Sequence, residues 1–252
     1  MIIGSDIRFL KDLGSTNTYL TELLRREKPP EGSIVRTNYQ SAGKGQQGNS
    51  WESEDGKNLL FSIVLYPDMI LPAGQFLISM VISLGIQDFL KKIISGCKIK
   101  WPNDIYAGDQ KIAGILIENS VRDDIIENSV AGIGLNINQT DFPPFIPNAV
   151  SIKSLTGKDQ DIDHILSNLV MTLDHRYKNL ISGEFDQIRS DYISALYGIN
   201  EFHSFKTVHG DLTGRIISVS DSGLLQVEDQ FGKIHQFSFK EIEFTHLYFS
   251  SF

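Results

Sequence analysis

Residues 58–67, NLLFSIVLYP, form an apolar run closed by Pro67, and a run of this length and makeup reads as a strongly buried strand. Upstream of it, residues 6–10 (DIRFL) read as a short strand and Ser33 to Tyr39 as a second one. Between those two, Ser15 or Thr16 offers an N-cap for a helix to about Glu27, with Tyr19, Leu20, Leu23 and Leu24 on one face. Pro29-Pro30 bar that helix from continuing. Gln40 to Lys57 is polar and glycine-rich, has no helical period, and reads as a long loop leading into the buried strand.

Downstream, Pro72 to about Ile94 reads as a long, mostly buried helix. Its most apolar part, Phe76 to Leu90, is interrupted by Ser79, Ser83, Gly85, Gln87 and Asp88, which argues against a membrane-spanning helix. CKIKWP, a turn at Gly108-Asp109, KIAGILIENSV and SVAGIGLNIN then read as successive strands, rich in Ile and Val. Three prolines mark 139–150 as a loop, and two helices come after it, about 161–182 and 185–196, separated by Gly183. After Leu196, short alternating strands are joined by Asp-Ser-Gly and Gln-Phe-Gly turns. The expected architecture is α+β: a large domain over residues 1–199 and a separate small β-barrel over 200–252.

The length of 252 residues suits one large domain, or one large plus one small. A single cysteine, Cys97, excludes an intramolecular disulfide framework and a cysteine-cluster metal site, and it reads as core. With 23 basic and 31 acidic residues the net charge is −8, which disfavours gripping a nucleic-acid backbone. The first residues, MIIGSDIRFLKDL, lack the basic and apolar regions of a signal peptide. The expected setting is reducing and cytoplasmic, with neither nucleic acid nor membrane as partner.

Two motifs imitate known sites. Gly43-Lys44-Gly45-Gln46-Gln47-Gly48 fits the dinucleotide fingerprint, yet Asn49 to Gly56 is loop where that motif needs a helix to open. Asp159, Asp161 and Asp163 imitate a calcium loop, but His164 and Val170 occupy the positions of its glycine and its bidentate glutamate. Carboxylates gathered before a helix are better explained by the positive end of its dipole. The six histidines are scattered, with no zinc pattern.

Three glycine-bearing segments at strand ends remain. Gln40 to Trp51 carries three glycines that let backbone approach a ligand and offer N–H groups to an anion, with Lys44 in their midst. Lys100-Trp101-Pro102-Asn103-Asp104, with Lys111 and Gly114 after it, places Asn103 and Asp104 at a strand tip. There Lys111 and Asp104 form either a weak surface ion pair or a phosphate-binding cation beside an orienting carboxylate. Gly132-Ile133-Gly134-Leu135-Asn136-Ile137-Asn138 alternates, with glycines and asparagines on one face and the apolar residues on the other. That small, polar face suits a flat ligand, the alternatives being solvent or a close helix. Together the three segments suggest a site for an anionic, nucleotide-containing ligand.

Ser15-Thr16-Asn17, Gly-x-Gly-x-x-Gly-x-x-Trp, Lys-Trp-Pro-Asn-Asp, Lys-x-x-Gly and Gly-x-Gly-x-Asn occur in this order. From about residue 8 to 138 the chain resembles the biotin protein ligase family, and the terminal barrel is similar to that family's SH3-like C-terminal domain. The resemblance implies a class II synthetase-like catalytic domain with a mixed sheet. It implies activation of biotin by ATP with Mg2+ to biotinyl-5′-AMP, then transfer to a lysine of a biotin carboxyl carrier protein or domain. By the same resemblance Ser15, Thr16, Asn17 and Gln40 would bond the ureido head of biotin. Lys44, Gly45 and Gln46 would close over carboxylate and phosphate, with Trp51 anchoring the loop. Lys111 would contact both anions, Asp104 would orient the target lysine or its proton, and Gly114 and Gly132 would lie along biotin. Gly43, Gly48, Trp51, Asn103 and Asn136 would serve the nucleotide. Lys111, Asp104 and Lys44 are the expected catalytic residues, and no resident metal is expected beyond magnesium carried by ATP.

Two departures stand out. The family's loop usually reads Gly-Arg-Gly-Arg, whereas Gly43-Lys44-Gly45-Gln46 loses the planar fork at one position and the charge at the other. Weaker retention of the adenylate is the expected result. Ser15 also comes too early for the N-terminal helix-turn-helix domain of the repressor-type members, so a repressor role is not expected. An exposed sheet edge leaves room for a homodimer. The nearest rival activity is lipoate or octanoate attachment on the same fold, and the rival from another class is a non-enzymatic binding module.

Overall fold

In a computed structural model, which describes residues 1–146 and 148–245, the buried run of residues 58–67 sits in the third of seven strands forming one sheet. The end of the expected barrel, residues 246–252, lies outside the described residues, as does residue 147 of the 139–150 loop. The strands are β1 (Ile7–Leu13), β2 (Ile34–Gln40), β3 (Leu59–Leu65), β4 (Cys97–Lys100), β5 (Asp104–Ala107), β6 (Gln110–Arg122) and β7 (Ile125–Leu135). Their order across the sheet is β1-β2-β3-β7-β6-β5-β4. Only β1 and β2 run parallel, joined by helix α1 (Thr16–Leu24); the other neighbours are antiparallel, so the sheet is mixed.

Every residue of β3 is buried, because both faces of the sheet are covered. On one face Leu59, Phe61, Ile63 and Leu65 join the main core with α2 (Phe76–Leu90). That helix is apolar nearly all round, since α4 (Ile162–Ile181) and α5 (Phe185–Ala195) pack behind it. It is the one stretch among the described residues, Pro72–Leu90, long and apolar enough to cross a membrane, and 67% of it is buried within the protein. Where α2 crosses α4, a side-chain carbon at Gly85 would come within 2.8 Å of Leu173. On the other face α1 lays Leu20 onto Val35 and Val130, with Tyr19, Leu23 and Leu24 around them.

Asp161 caps α4 by accepting the N–H groups of Asp163 and His164, which gives the calcium-like acidic run a capping role. Two elements were not foreseen. A short helix, α3 (Ile152–Thr156), comes after the proline loop, capped by Ser151. More importantly, the stretch after Pro102 is a strand: β5 begins at Asp104 and pairs with β4 on one side and β6 on the other. Five further strands, β8 (Phe202–Thr207), β9 (Gly210–Val219), β10 (Leu225–Asp229), β11 (Ile234–Phe237) and β12 (Ile242–Phe244), form a second, wholly antiparallel sheet in the order β11-β10-β9-β8-β12. Trp101 Nε1 donates to the carbonyl of Gly223 at 3.0 Å, tying the β4–β5 turn to the turn before β10.

Candidate active site

The α1 face of the first sheet holds a cavity of about 650 Å³, within the range of small-molecule sites. It is bounded by the start of α1, the 40–51 loop, the β4–β5 turn, β6, β7 and residues of the second sheet.

Its floor is a connected set of hydrogen bonds. Gln40 Oε1 accepts from the Thr16 backbone N–H at 2.7 Å and lies 3.0 Å from Thr16 Oγ1. Ser62 Oγ is 2.7 Å from Thr16 Oγ1 and 2.6 Å from Asn17 Oδ1. Asn17 Nδ2 donates to the Leu116 carbonyl at 3.2 Å and to Glu118 Oε2 at 2.8 Å. Ser15 caps α1 by position but makes no side-chain cap bond, so its hydroxyl is not spent on the helix. Gly132 faces Asn17: a side-chain carbon there would fall 2.2 Å from Asn17 Oδ1.

The loop is a tight ribbon. The N–H of Trp51 meets the Gly43 carbonyl at 3.0 Å, and that of Gly45 meets the Asn49 carbonyl at 2.7 Å, with Lys44 and Ser50 bridged between them. The Gly45 N–H is therefore turned inward, a departure from the expected anion cradle. The close approach at Gly43 has no space for a side chain, whose first carbon would sit 2.4 Å from the Trp51 carbonyl oxygen. The ribbon delivers Trp51 onto the sheet, where its indole fills the space above Gly134 and Gly114. Among the described residues, the buried Trp51 Nε1 and Gln46 Oε1, a donor and an acceptor, have no hydrogen-bond partner.

Charge is concentrated opposite the loop. Lys111 Nζ lies 2.7 Å from Asp104 Oδ1 and 5.7 Å from the centre of the Trp51 ring. The two residues flank the β5–β6 hairpin turn but are not paired in register. In register Asp104 faces Lys100 and Gly114, and the lysine chain reaches back to it past Gly114. The Lys111 backbone is clamped to the 148–150 segment, donating to Asn148 and accepting from Val150. Asn103 is fixed in the same way, since Nδ2 donates to the Ile115 carbonyl at 2.6 Å and its own carbonyl accepts from the Ile115 N–H at 3.0 Å.

Lys100, quoted in the Lys-Trp-Pro-Asn-Asp motif without a role, also lines the cavity, its Nζ 3.2 Å from Tyr106 Oη. Burial pushes its pKa below the ordinary lysine value; attraction to Asp104 and Glu243 opposes the shift and repulsion from Lys111 adds to it.

Of the residues singled out in the sequence, Ser15, Thr16, Asn17, Gln40, Lys44, Gly45, Gln46, Trp51, Asn103, Asp104, Lys111, Gly114 and Gly132 line this cavity. Gly43, Gly48 and Asn136 do not: Gly43 closes the ribbon and Gly48, at φ +85°, makes its tip. Asn136 is buried and donates through Nδ2 to the Val150 carbonyl at 3.1 Å, stapling the segment that clamps Lys111. Ser62 and Glu118 escaped sequence reading, the first hidden in the apolar strand β3 and the second on the exposed far part of β6. The second sheet adds Phe205, Glu243 and Phe244 to the cavity wall, and the turn before β12 adds Lys240. Among the described residues no group of three or more His, Cys, Asp or Glu side chains is gathered to hold a metal ion.

Known proteins resemble this chain in sequence and in fold. Residues 10–136 match the Biotin/lipoate A/B protein ligase family, and the chain belongs to that family. It is 28% identical over 239 residues to the Bifunctional ligase/repressor BirA of Bacillus spizizenii, covering 92% of this chain and 72% of that one. To the Biotin--[acetyl-CoA-carboxylase] ligase of Paracoccus denitrificans it is 28% identical over 230 residues, covering 88% and 95%. Among solved structures it is similar to the biotin protein ligase of Aquifex aeolicus in complex with biotin and ATP. The TM-score there is 0.78 at 25% identity, covering 95% of this chain and 98% of that one.

Proposed function

We propose that the chain is a biotin–protein ligase that works in two steps. A carboxylate oxygen of biotin attacks the α-phosphorus of MgATP, forming biotinyl-5′-AMP as the bond to pyrophosphate breaks. The ε-amine of a lysine on a biotin carboxyl carrier domain then attacks the acyl carbon, forming an amide and releasing AMP.

The floor of the cavity carries this reading. The Asn17 Nδ2 partners, a carbonyl and a carboxylate oxygen, only accept, so the amide oxygen must face Ser62 and take its proton. Thr16 then has only acceptors, Ser62 Oγ and Gln40 Oε1, as targets for its own proton. Thr16 and Asn17 are left with lone pairs for a ligand, which suits the two N–H groups of a ureido ring. A dithiolane or a plain acyl chain has no such donor, and leaves buried acceptors unpaired at about 1–3 kcal/mol each. That favours biotin over lipoate or octanoate within the family.

Lys111 is the cation on which the two anions would meet, and fixed positive charge acts most where charge accumulates on phosphorus. Lys100 adds a second positive charge on the same side of the cavity. Asp104 would steer the incoming amine or take its proton. Lys44, on the ribbon, closes over the anions, and the orphaned Gln46 Oε1 and Trp51 Nε1 find partners in ligand. Residues 1–199 are read as the catalytic domain and 200–252 as its SH3-like companion, the wholly antiparallel second sheet supporting that division. A cytoplasmic location is part of the same reading. Incubation with ATP, biotin and a carrier domain, with mass measurement of the carrier, tests the whole: the carrier gains one biotinyl group, and an unmodified carrier overturns the reading.

A further inference from the structure

Glu118 lies outside the cavity, on the exposed extension of β6, and yet its carboxylate is 2.8 Å from Asn17 Nδ2. An asparagine amide can sit either way round, and nothing in the covalent structure chooses. Three neighbours choose for Asn17: the Leu116 carbonyl and Glu118 Oε2 on the amine side, and Ser62 Oγ on the oxygen side. Ser62 is neutral in this choice, because a hydroxyl can donate or accept. The Leu116 bond is the longer of the other two, at 3.2 Å. The carboxylate supplies the charged hydrogen bond, the stronger type.

We propose that Glu118 is a positioning residue for ligand specificity: by holding Asn17 Nδ2 away from the cavity, it keeps the floor an acceptor surface. Gly132 completes the device, since its missing side chain lets Asn17 Oδ1 lie against β7. A donor at position 118 turns the amide over, presents N–H groups to the cavity and sets them against the N–H groups of the ligand. Ser62 reverses to accept, and the turned amide gives up its bond to the Leu116 carbonyl, a local loss that leaves the sheet in place while the recognition surface changes sign. This rests on biotin being the substrate.

The test compares wild type with Glu118→Gln, Glu118→Leu and Glu118→Lys in biotin-dependent pyrophosphate–ATP exchange, with melting temperature as the folding control. Glu118→Gln retains an accepting oxygen and is expected to restore the wild-type KM for biotin within about twofold. Glu118→Lys is expected to raise that KM about tenfold, the size of one hydrogen bond reversed, with the KM for ATP unchanged. Glu118→Leu falls between them. Desthiobiotin, which has the same N–H groups without the sulfur ring, should show the same ratio. Overturning results are a biotin KM in Glu118→Lys equal to wild type, or equal losses in Glu118→Gln and Glu118→Lys. Exchange absent from the wild-type protein overturns both the substrate and this role; exchange present with a flat variant series overturns only the role of Glu118.

Discussion

The indole of Trp51 occupies the volume that a side chain at Gly134 would need: a β-carbon there would lie 2.4 to 2.8 Å from three of its ring atoms. The flat group that the glycine face of β7 was expected to receive is thus supplied by the protein itself. Gly114 on the neighbouring strand completes the seat, with Lys111 beside it.

Gly134→Ala should therefore unseat the indole without unfolding the sheet, since the change faces the cavity and leaves the core layer behind β7 alone. The expected signs are a shift in tryptophan emission and a biotin KM raised by about tenfold or more, with the melting temperature lowered by only a few degrees. Unchanged emission would show that Trp51 does not depend on this seat.

Lys111 and Asp104 touch each other but are assigned to different steps, so their variants should separate. Lys111→Met is expected to slow adenylate formation by about 100-fold or more, as loss of one electrostatic stabiliser does. Asp104→Asn is expected to keep most adenylate formation and to slow transfer to the carrier. Single-turnover measurement of each half-reaction checks this, and equal losses in both halves for both variants would refute the division.

Gln46 stands where the resemblance led to an expectation of arginine, and its Oε1 has no hydrogen-bond partner among the described residues. Gln46→Arg should add a charged hydrogen bond to the anionic adenylate and slow its release about tenfold. Equal dissociation rates of biotinyl-AMP from the two proteins would dismiss the idea.

Lys100 ties activity to pH through burial. Its lowered pKa means that the charge is lost at a pH below the ordinary lysine range, so the rate of adenylate formation should fall on the alkaline side. Stability moves the other way. Between the folded and unfolded pKa values the unfolded chain binds more protons, and the contribution of this group to folding improves as pH rises. Lys100→Arg, which stays charged, is expected to move the alkaline limb upward or remove it, while an unchanged limb would assign it to another group.

Asp174 anchors the N-terminus, its Oδ1 accepting from the N–H groups of Ile2 at 2.5 Å and Ile3 at 3.0 Å, its Oδ2 paired with Lys178 at 2.8 Å. Burial raises its pKa, but these bonds outweigh burial and the net shift is downward. Its contribution is present above the ordinary aspartate range and is lost as pH falls through the depressed folded value. Asp174→Ala should cost about 1–3 kcal/mol at neutral pH, from denaturant unfolding, and the gap to wild type should narrow in acid.

The strands and helices with a clear period were legible because burial alone dictates them, as in β3 and in the Leu20 face of α1. Strand β5 was not, since four residues after Trp101-Pro102 carry too little pattern to be told from a turn. Lys111 was recognised as a partner of Asp104, though its route to it depends on a register that no local pattern encodes. Ser62 and Glu118 stayed hidden for a plainer reason: their importance lies wholly in what touches them, and Asn17 is 45 and 101 residues away from them along the chain. The motif glycines were visible as glycines, but only the fold shows that Gly43 closes a ribbon, Gly132 admits an amide and Gly134 admits an indole.

The bond from Trp101 to Gly223 ties the small sheet to the cavity of the large one. A graft that replaced residues 200–245 with another antiparallel sheet of the same outline would preserve the architecture and still replace one wall of the cavity, together with the acceptor that holds the β4–β5 turn. In an engineering sense the two sheets are a single exchangeable part.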